Sequence, residues 1–380
     1  MTKYFIFTLF LLFFLIAFGI FDFNNISSAN DEFFGIDPQD YFDLGDYGEK
    51  EQPPFSKQFK ENNSYPSDHQ QTTANKYGKV TTTNHLFQNY SNDINFIAAG
   101  DWNCNKETEK TIKKIIKLES ELILGLGDYT FENISPQCWF DISKPIDDKI
   151  KIAIGNHDLD YQSSYYQLLN HYNLKEPYYS FNFHNIHFLA ISSEHPFEEG
   201  SKQYEFIKND LEESLQNSSI LWRIVFLHKP MYTSASFDEK DSEELKDTFH
   251  ELFKSHKVDL VLSGHTQYYQ RSFPLSYNYD NSSYPIIMDH KNRVYTNNDG
   301  VIFVTAGTAG DKIHDIAYSL SYYVIQKGQF GFLNFDLTNN EQTLIGTFYD
   351  TDDSNILDQF VISKDSTNQK TFSKQNSRVL

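Results

Sequence analysis

Cysteine is scarce: Cys104 and Cys138 are the only two in 380 residues, and no Cys-x-x-Cys pair occurs. That spacing argues against a zinc site held by paired thiolates and leaves one disulfide or two free thiols. Clusters of lysine or arginine are also missing. With 32 basic against 52 acidic residues the formal net charge is -20, which does not suit a protein that grips a phosphate backbone by basic neutralisation. Nucleic acid is therefore set aside as the main partner. No Gly-x-Ser-x-Gly elbow appears, so serine-hydrolase chemistry has no support. Gly307-Thr308-Ala309-Gly310 follows an apolar run but lacks the third glycine and the helix pattern of a dinucleotide site. It reads instead as a loop on the active face. No repeat of solenoid length is present.

What is there suits one large domain. The chain is 39% hydrophobic and 16% aromatic, and about 270 patterned residues can bury a sizeable core. Its aromatic residues are spread throughout, as fillers of core and loops are. Residues 1–29 carry Lys3 and then an uncharged run from Tyr4 to Phe21, which is a signal peptide or a membrane anchor. Ser27 and Ala29 offer the small residues a signal peptidase uses, so cleavage and retention both stay open. Residues 30–91 are polar, with Pro38, Pro53, Pro54 and Pro66, and form a linker or stalk. The patterned domain occupies 92–363, and 364–380 is a flexible tail.

The expected location is outside the cytoplasm, secreted or anchored on the outer face of the cell membrane. An exported chain favours pairing of Cys104 with Cys138 across two active-face loops. Export also makes the Asn-x-Ser triplets at Asn25, Asn62, Asn89, Asn133, Asn217 and Asn281 acceptors where the host glycosylates.

Five short apolar runs stop abruptly at polar clusters, as buried strands do when they feed into loops. Phe96–Ala99 runs into Gly100-Asp101-Trp102-Asn103, and Leu122–Leu126 into Gly127-Asp128. Ile150–Ile154 runs into Gly155-Asn156-His157-Asp158. Arg223–Leu227 leads to His228, and Val258–Leu262 to Ser263-Gly264-His265-Thr266-Gln267. Helical patterns at Glu107–Leu118, with Ile112, Ile115 and Ile116 on one face, and at Glu243–Phe253 alternate with them. That succession brings the C-terminal strand ends to one edge of a sheet, where open α/β folds bind ligands. Asp101, Asp128, Asn156, His228 and His265 then converge. Carboxylate and carboxamide oxygens suit hard cations, imidazoles suit zinc, iron or manganese, and a shared carboxylate can bridge two ions. Bound cations would also draw an anionic substrate to an acidic chain. Glycines before Asp101, Asp128, Asn156 and His265 are expected to let the backbone turn there.

These motifs in this order resemble the calcineurin-like metallophosphoesterase superfamily, and within it the purple acid phosphatases. Val225-Phe226-Leu227-His228 keeps the family's fourth motif, and Lys229-Pro230-Met231-Tyr232 resembles the family's residues directly after that motif. Ser193-Glu194-His195 with Gly200–Tyr204, and Tyr268–Arg271 with Pro274, are similar to further family segments. The resemblance implies a four-layer α/β/β/α sandwich with metal at one edge between two sheets. It implies metal-dependent hydrolysis of phosphate monoesters, or of diesters at the same site, with one or two ions of Fe, Zn, Mn or Mg. It implies one metal subsite of Asp128, Asn156, His228 and His265, with Asp128 as the bridge. It also implies His157 as general acid, and His195 as a pocket residue.

The other subsite departs from the family pattern. Asp101 and Asp128 remain, but the family's tyrosine is Phe131, its last histidine is Gln267, and the glycine after the first aspartate is Asn103. Phenylalanine cannot coordinate, so the iron-to-tyrosinate colour of the family is expected to be absent. Asn103 and Gln267 have amide oxygens to offer to a hard ion. The same losses suit a surface protein that has kept the fold for binding and given up turnover.

Overall fold

Each of the five apolar runs forms a strand, and the strands divide between two sheets. In one, β1 (Ile94–Ala99), β2 (Leu122–Gly125) and β3 (Ile150–Ile152) lie parallel. In the other, the antiparallel pair β4 (Tyr179–Phe183) and β5 (Ile186–Ala190) leads to β6 (Trp222–Phe226) and β7 (Leu260–Ser263), parallel to β5. Two stacked sheets supply the motifs, three from one and two from the other, as the four-layer expectation has it. The computed structural model describes residues 94–364 apart from 132, 133, 161, 236–238 and 317. The leader, the linker, the tail beyond Lys364 and the triplets at Asn25, Asn62, Asn89 and Asn133 lie outside the described residues. Asn217 and Asn281 are exposed. Among the described residues no helix is long and apolar enough to cross a membrane.

The later strands complete both sheets. They are β8 (Tyr269–Ser276), β9 (Ile286–Ile287), β10 (Val294–Thr296), β11 (Val301–Ala306), β12 (Tyr323–Lys327), β13 (Gly331–Thr338), β14 (Thr343–Asp350) and β15 (Ile356–Ser363). The first sheet has the order β10-β15-β14-β13-β1-β2-β3, and the second β12-β8-β11-β7-β6-β5-β4, with β9 paired to β8.

Alternation along each strand explains why the sequence reads as unbroken apolar runs. Phe96 and Ala98 of β1 face the core between the sheets, while Ile97 and Ala99 face the helices outside. In β6, Trp222, Ile224 and Phe226 point inward and Val225 outward. Both faces of these strands are covered, so no polar alternation survives in them. Phe96 stacks on Phe335 at 4.8 Å and meets Phe188 of the opposite sheet edge-on at 5.1 Å. Full burial of one such ring contributes roughly 1.5–3 kcal/mol.

Helices α1 (Lys106–Lys117), α2 (Pro136–Ser143) and α3 (Gln162–His171) cover the outer face of the first sheet through Ile112, Ile115, Trp139 and Leu168. Helices α4 (Lys202–Gln216) and α5 (Glu239–Ser255) cover the second through Ile207, Leu211, Phe249 and Phe253. The layers are therefore α/β/β/α. Asn105 caps α1 by accepting from the N–H groups of Glu107 and Thr108, a bond that satisfies donors the first helical turn leaves open.

Ile116 does not face the core as its sequence position suggests; it is 44% exposed. The buried face of α1 is centred on Thr108, Thr111, Ile112 and Ile115, and Ile116 stands about 90° from that centre. The two threonines turn inward because their hydroxyls donate to the carbonyls of Trp102 and Ala309, loops at the strand ends. Cys104 and Cys138 form a disulfide with Cα atoms 6.1 Å apart. It ties the loop after β1 to the first turn of α2, where a link between two loops was expected.

Candidate metal centre

His228, just after β6, is fully buried, and its Nδ1 donates to the carbonyl of Leu126 at 2.8 Å. That bond orients the ring and leaves Nε2 to face the centre. Three acceptors meet Nε2: Asn156 Oδ1 at 3.0 Å, His265 Nδ1 at 3.1 Å and Asp128 Oδ2 at 3.2 Å. One proton on Nε2 cannot serve three acceptors, whereas one cation can accept all four lone pairs. A histidine that spends its other N–H on a backbone carbonyl is the usual arrangement of a metal ligand. Ligand atoms of Asp128, His228 and His265 lie within 4.8 Å of one another.

Asp101 belongs to the same cluster, because its Oδ2 accepts the backbone N–H of His265 at 2.7 Å. Its Oδ1 is buried and has no hydrogen-bond partner. Burial pushes the Asp101 carboxyl well above the ordinary carboxylate range, and Asp128 and Asp311 add to that, against the pull of His228. Burial also works against a charge on His228, yet Asp128 and then Asp101 hold its imidazole up to about 10. Asp128 titrates below its ordinary value: burial opposes this, and His228 overcomes it. The residues present fit a cation, since an orphaned carboxylate oxygen and a convergent set of acceptors both call for positive charge.

Backbone strain is concentrated here. Asp101, Asn103, Asp128, His265 and Gln267 all have φ between 53° and 71°. Such conformations cost about 1–3 kcal/mol each and persist where the surroundings over-determine them. They are held by bonds between the loops, from Asp101 N to Gly127 O at 3.0 Å and from Trp102 N to Asp128 O at 2.9 Å. The glycines therefore do something other than expected. Of those preceding the candidate ligands only Gly127 is left-handed; the others clear space. A Cβ on Gly155 would stand 2.2 Å from Asp128 Oδ1, and one on Gly264 would stand 2.7 Å from Asp101 Oδ2.

Asp158 joins the second and third motifs. Its carboxylate accepts N–H bonds from Gly155 at 2.8 Å, Tyr129 at 2.9 Å and Asp128 at 3.0 Å. Burial, then the Asp128 charge, raises it to about 7. His157 presents its backbone N–H to Asp128 Oδ1 at 3.0 Å. Its Nδ1 lies 3.0 Å from Asp160 Oδ2, and its ring lies on Phe131 at 4.4 Å. Tyr129 does not replace the missing tyrosine, since its hydroxyl is buried and bonded to Ala153 O at 3.0 Å.

His195 stands in the loop after β5, half-buried, with Nδ1 2.9 Å from Ser192 Oγ, and burial lowers its pKa. With Glu194, Phe197, Glu243 and Asp247 it lines a cavity of about 790 Å³. That loop is tied to the His228 strand end: Ser193 Oγ accepts from Lys229 N at 3.1 Å, and Glu194 pairs with Lys229 at 3.3 Å. Among the described residues no direct bond joins His195 to the five clustered side chains.

Asn103 does not offer its oxygen to the centre as expected. Its Oδ1 accepts from Cys104 N at 2.6 Å and its Nδ2 donates to Asp311 at 2.6 Å. Asp311 was not singled out in the sequence; its signal was the Gly307–Gly310 loop immediately before it. That loop does reach the active face, with Gly310 N and Asp311 N both donating to Asp101 O.

The comparisons with known proteins agree with this geometry. Residues 93–269 match the family model of calcineurin-like phosphoesterases. The chain is 25% identical over 201 residues to "Probable purple acid phosphatase 20" of Arabidopsis thaliana, covering 47% of this chain and 46% of that one. It is 24% identical over 304 residues to "Probable inactive purple acid phosphatase 24" of the same plant, covering 72% and 47%. It thus spans about half the length of the curated relatives it matches. Purple acid phosphatase PPD1 from yellow lupin (Lupinus luteus) seeds shares the fold, with TM-score 0.62 and 19% identity over 73% of this chain and 55% of that one. So does GAP50, "the anchor in the inner membrane complex of Plasmodium", with TM-score 0.54 and 16% identity over 74% and 94%.

Proposed function

We propose, from the premise that residues 93–269 form a calcineurin-like phosphoesterase domain, that the chain hydrolyses phosphate monoesters outside the cytoplasm with one or two bound metal ions. The observation that carries this reading is His228 Nε2 facing Asp128, Asn156 and His265 at 3.0–3.2 Å, three neighbours for one ring nitrogen. Those four residues would hold one ion, drawn from Fe, Zn, Mn or Mg. Asp101, with Asp128 as the shared carboxylate, would hold the second. A cation there supplies the charge that polarises phosphate oxygens and acidifies water, and it gives a chain of net charge -20 a local attraction for an anionic ester.

The protein's own groups do the rest. Glycine-cleared space around Asp101 and Asp128 keeps both carboxylates in place. His157, its Nδ1 turned to Asp160, has Nε2 left to hand a proton to the departing alkoxide oxygen, which makes it the general acid. His195, which borders a cavity on the side of α5, is the candidate residue for contact with substrate. Export is supported by the apolar leader read from residues 1–29.

The test is hydrolysis of a nitrophenyl phosphate and of its bis-ester, before and after chelation. The monoester is expected to be the better substrate, and activity to vanish on stripping and return with added metal. Unchanged turnover after complete metal removal refutes the reading, and preference for the bis-ester makes the chain a phosphodiesterase of the same site. A second reading, a surface protein without turnover, is favoured by Phe131 and Gln267 and by likeness to a relative named inactive and to one named an anchor. Metal binding without hydrolysis of either ester is its expected signature.

A further inference from the structure

Asp311 organises the half of the centre that departs from the family pattern. Its two carboxylate oxygens accept one amide each: Asn103 Nδ2 at 2.6 Å on Oδ1 and Gln267 Nε2 at 2.7 Å on Oδ2. A carboxylate has only acceptors to offer, so neither amide can turn its oxygen toward Asp311 without repulsion. Both carbonyl oxygens are therefore directed elsewhere. Asn103 Oδ1 goes to the N–H of Cys104. Gln267 Oε1 is buried and finds no hydrogen-bond partner, as does Asp101 Oδ1.

The two residues that carry these oxygens both approach Gly307. A Cβ built on Gly307 would meet Asp101 Oδ2 at 2.7 Å and Gln267 N at 3.0 Å, so the two residues flank one glycine. Gln267 is 5% exposed and Asp101 is fully buried, which leaves water little access. An unpaired buried acceptor is destabilising, and more so when charged. A cation that takes oxygen ligands would satisfy both and would offset the Asp128 and Asp311 charges that act on Asp101.

We propose that Asp311 is a positioning residue: by holding the NH2 group of Gln267 it presents Oε1, together with Asp101 Oδ1, to a hard divalent cation. The centre then pairs a histidine-containing subsite with an all-oxygen one suited to Mn2+ or Mg2+. This inference rests on the reading of the cluster as a metal centre.

The test uses the full chain, stripped with chelator and titrated with MnCl2 alone, followed by calorimetry and by the paramagnetic resonance of Mn2+. The parent chain, Asp311→Asn and Gln267→Ala are compared, with folding checked by thermal melting. The parent is expected to take two ions of unequal affinity. In Asp311→Asn one of them weakens about 10- to 100-fold, the usual effect of removing a group that orients a ligand, while the other changes less than about twofold. Gln267→Ala is expected to lose the same ion, and it carries the test alone if Asp311→Asn does not fold. Unchanged affinities in a folded Asp311→Asn overturn the proposal, and so does equal weakening of both ions, which marks a merely structural role. A parent that binds a single ion, lost in His228→Ala, overturns the all-oxygen subsite but leaves a one-ion hydrolase standing. No Mn2+ bound by the parent defeats this inference and the metal reading together.

Discussion

His157 and His228 show how differently two histidines of neighbouring motifs are held. The ring of His228 is buried, with a partner for each nitrogen, whereas His157 lies at the surface against Phe131 with one nitrogen on Asp160. Under the proposed function the first would hold a cation and the second would exchange a proton. His157→Gln is therefore expected to lower kcat on nitrophenyl phosphate about 10²- to 10⁴-fold, the usual share of a general acid, with metal content unchanged. A variant within threefold of the parent would remove His157 from the chemistry. Residue types at the strand ends were legible in the sequence, because each stood directly after an apolar run and its glycine. What those glycines do was not. That Gly155 and Gly264 make room for Asp128 and Asp101, while the aspartates themselves take the left-handed backbone, depends on contacts between loops remote in sequence. Asn103 and Gln267 were legible as departures from the family pattern, but the carboxylate that orients their amides comes from a loop more than forty residues beyond Gln267.

At the scale of elements, helix α5 is anchored to the second sheet by a neutral histidine. His250 is fully buried; Tyr232 donates its hydroxyl to Nδ1 at 2.7 Å, and Nε2 donates to Leu275 O at 3.3 Å. Burial, helped by Lys254, lowers its pKa from 6.5 to about 4. In the unfolded chain the ring takes up a proton near pH 6.5, and in the folded chain only near 4. Stability contributed by this site is thus intact above pH 6.5 and declines as pH falls toward 4. By linkage the loss amounts to about 3 kcal/mol. In His250→Gln, whose side-chain oxygen can still accept from Tyr232, the decline in melting temperature between pH 7 and pH 4 is expected to be shallower than in the parent. Parallel curves would mean that other groups govern acid sensitivity. The helical period predicted α1 and α5, and only the orientation of α1 against the loops decided that Thr108 and Thr111 point inward at the expense of Ile116.

Across the whole molecule the two sheets are joined by a buried ion pair as well as by apolar packing. Arg271 of β8 in the second sheet meets Asp358 of β15 in the first, Nε to Oδ2 at 2.6 Å and Nη2 to Oδ1 at 3.0 Å. Tyr269 donates to the same carboxylate at 2.7 Å, and Tyr295 accepts from Arg271 at 3.1 Å. Removing one partner leaves a buried charge unpaired, so Asp358→Ala is expected to cost about 3–5 kcal/mol in denaturant unfolding. Arg271→Met with Asp358→Leu is expected to recover much of that loss, because two apolar groups of similar size leave no charge behind. If the double variant is as unstable as the single one, the network does more than satisfy its own charges.

Local order along the chain was enough to give the strand and helix succession and the candidate ligand types, since apolar period, turn residues and donor atoms are properties of neighbouring residues. Which sheet each strand joins, which glycine clears space for which carboxylate, and which oxygen of the centre stays unpaired came only with the fold. Those are matters of distance between segments far apart in sequence, set by how two sheets bury their shared face and bring five strand ends within reach of one another.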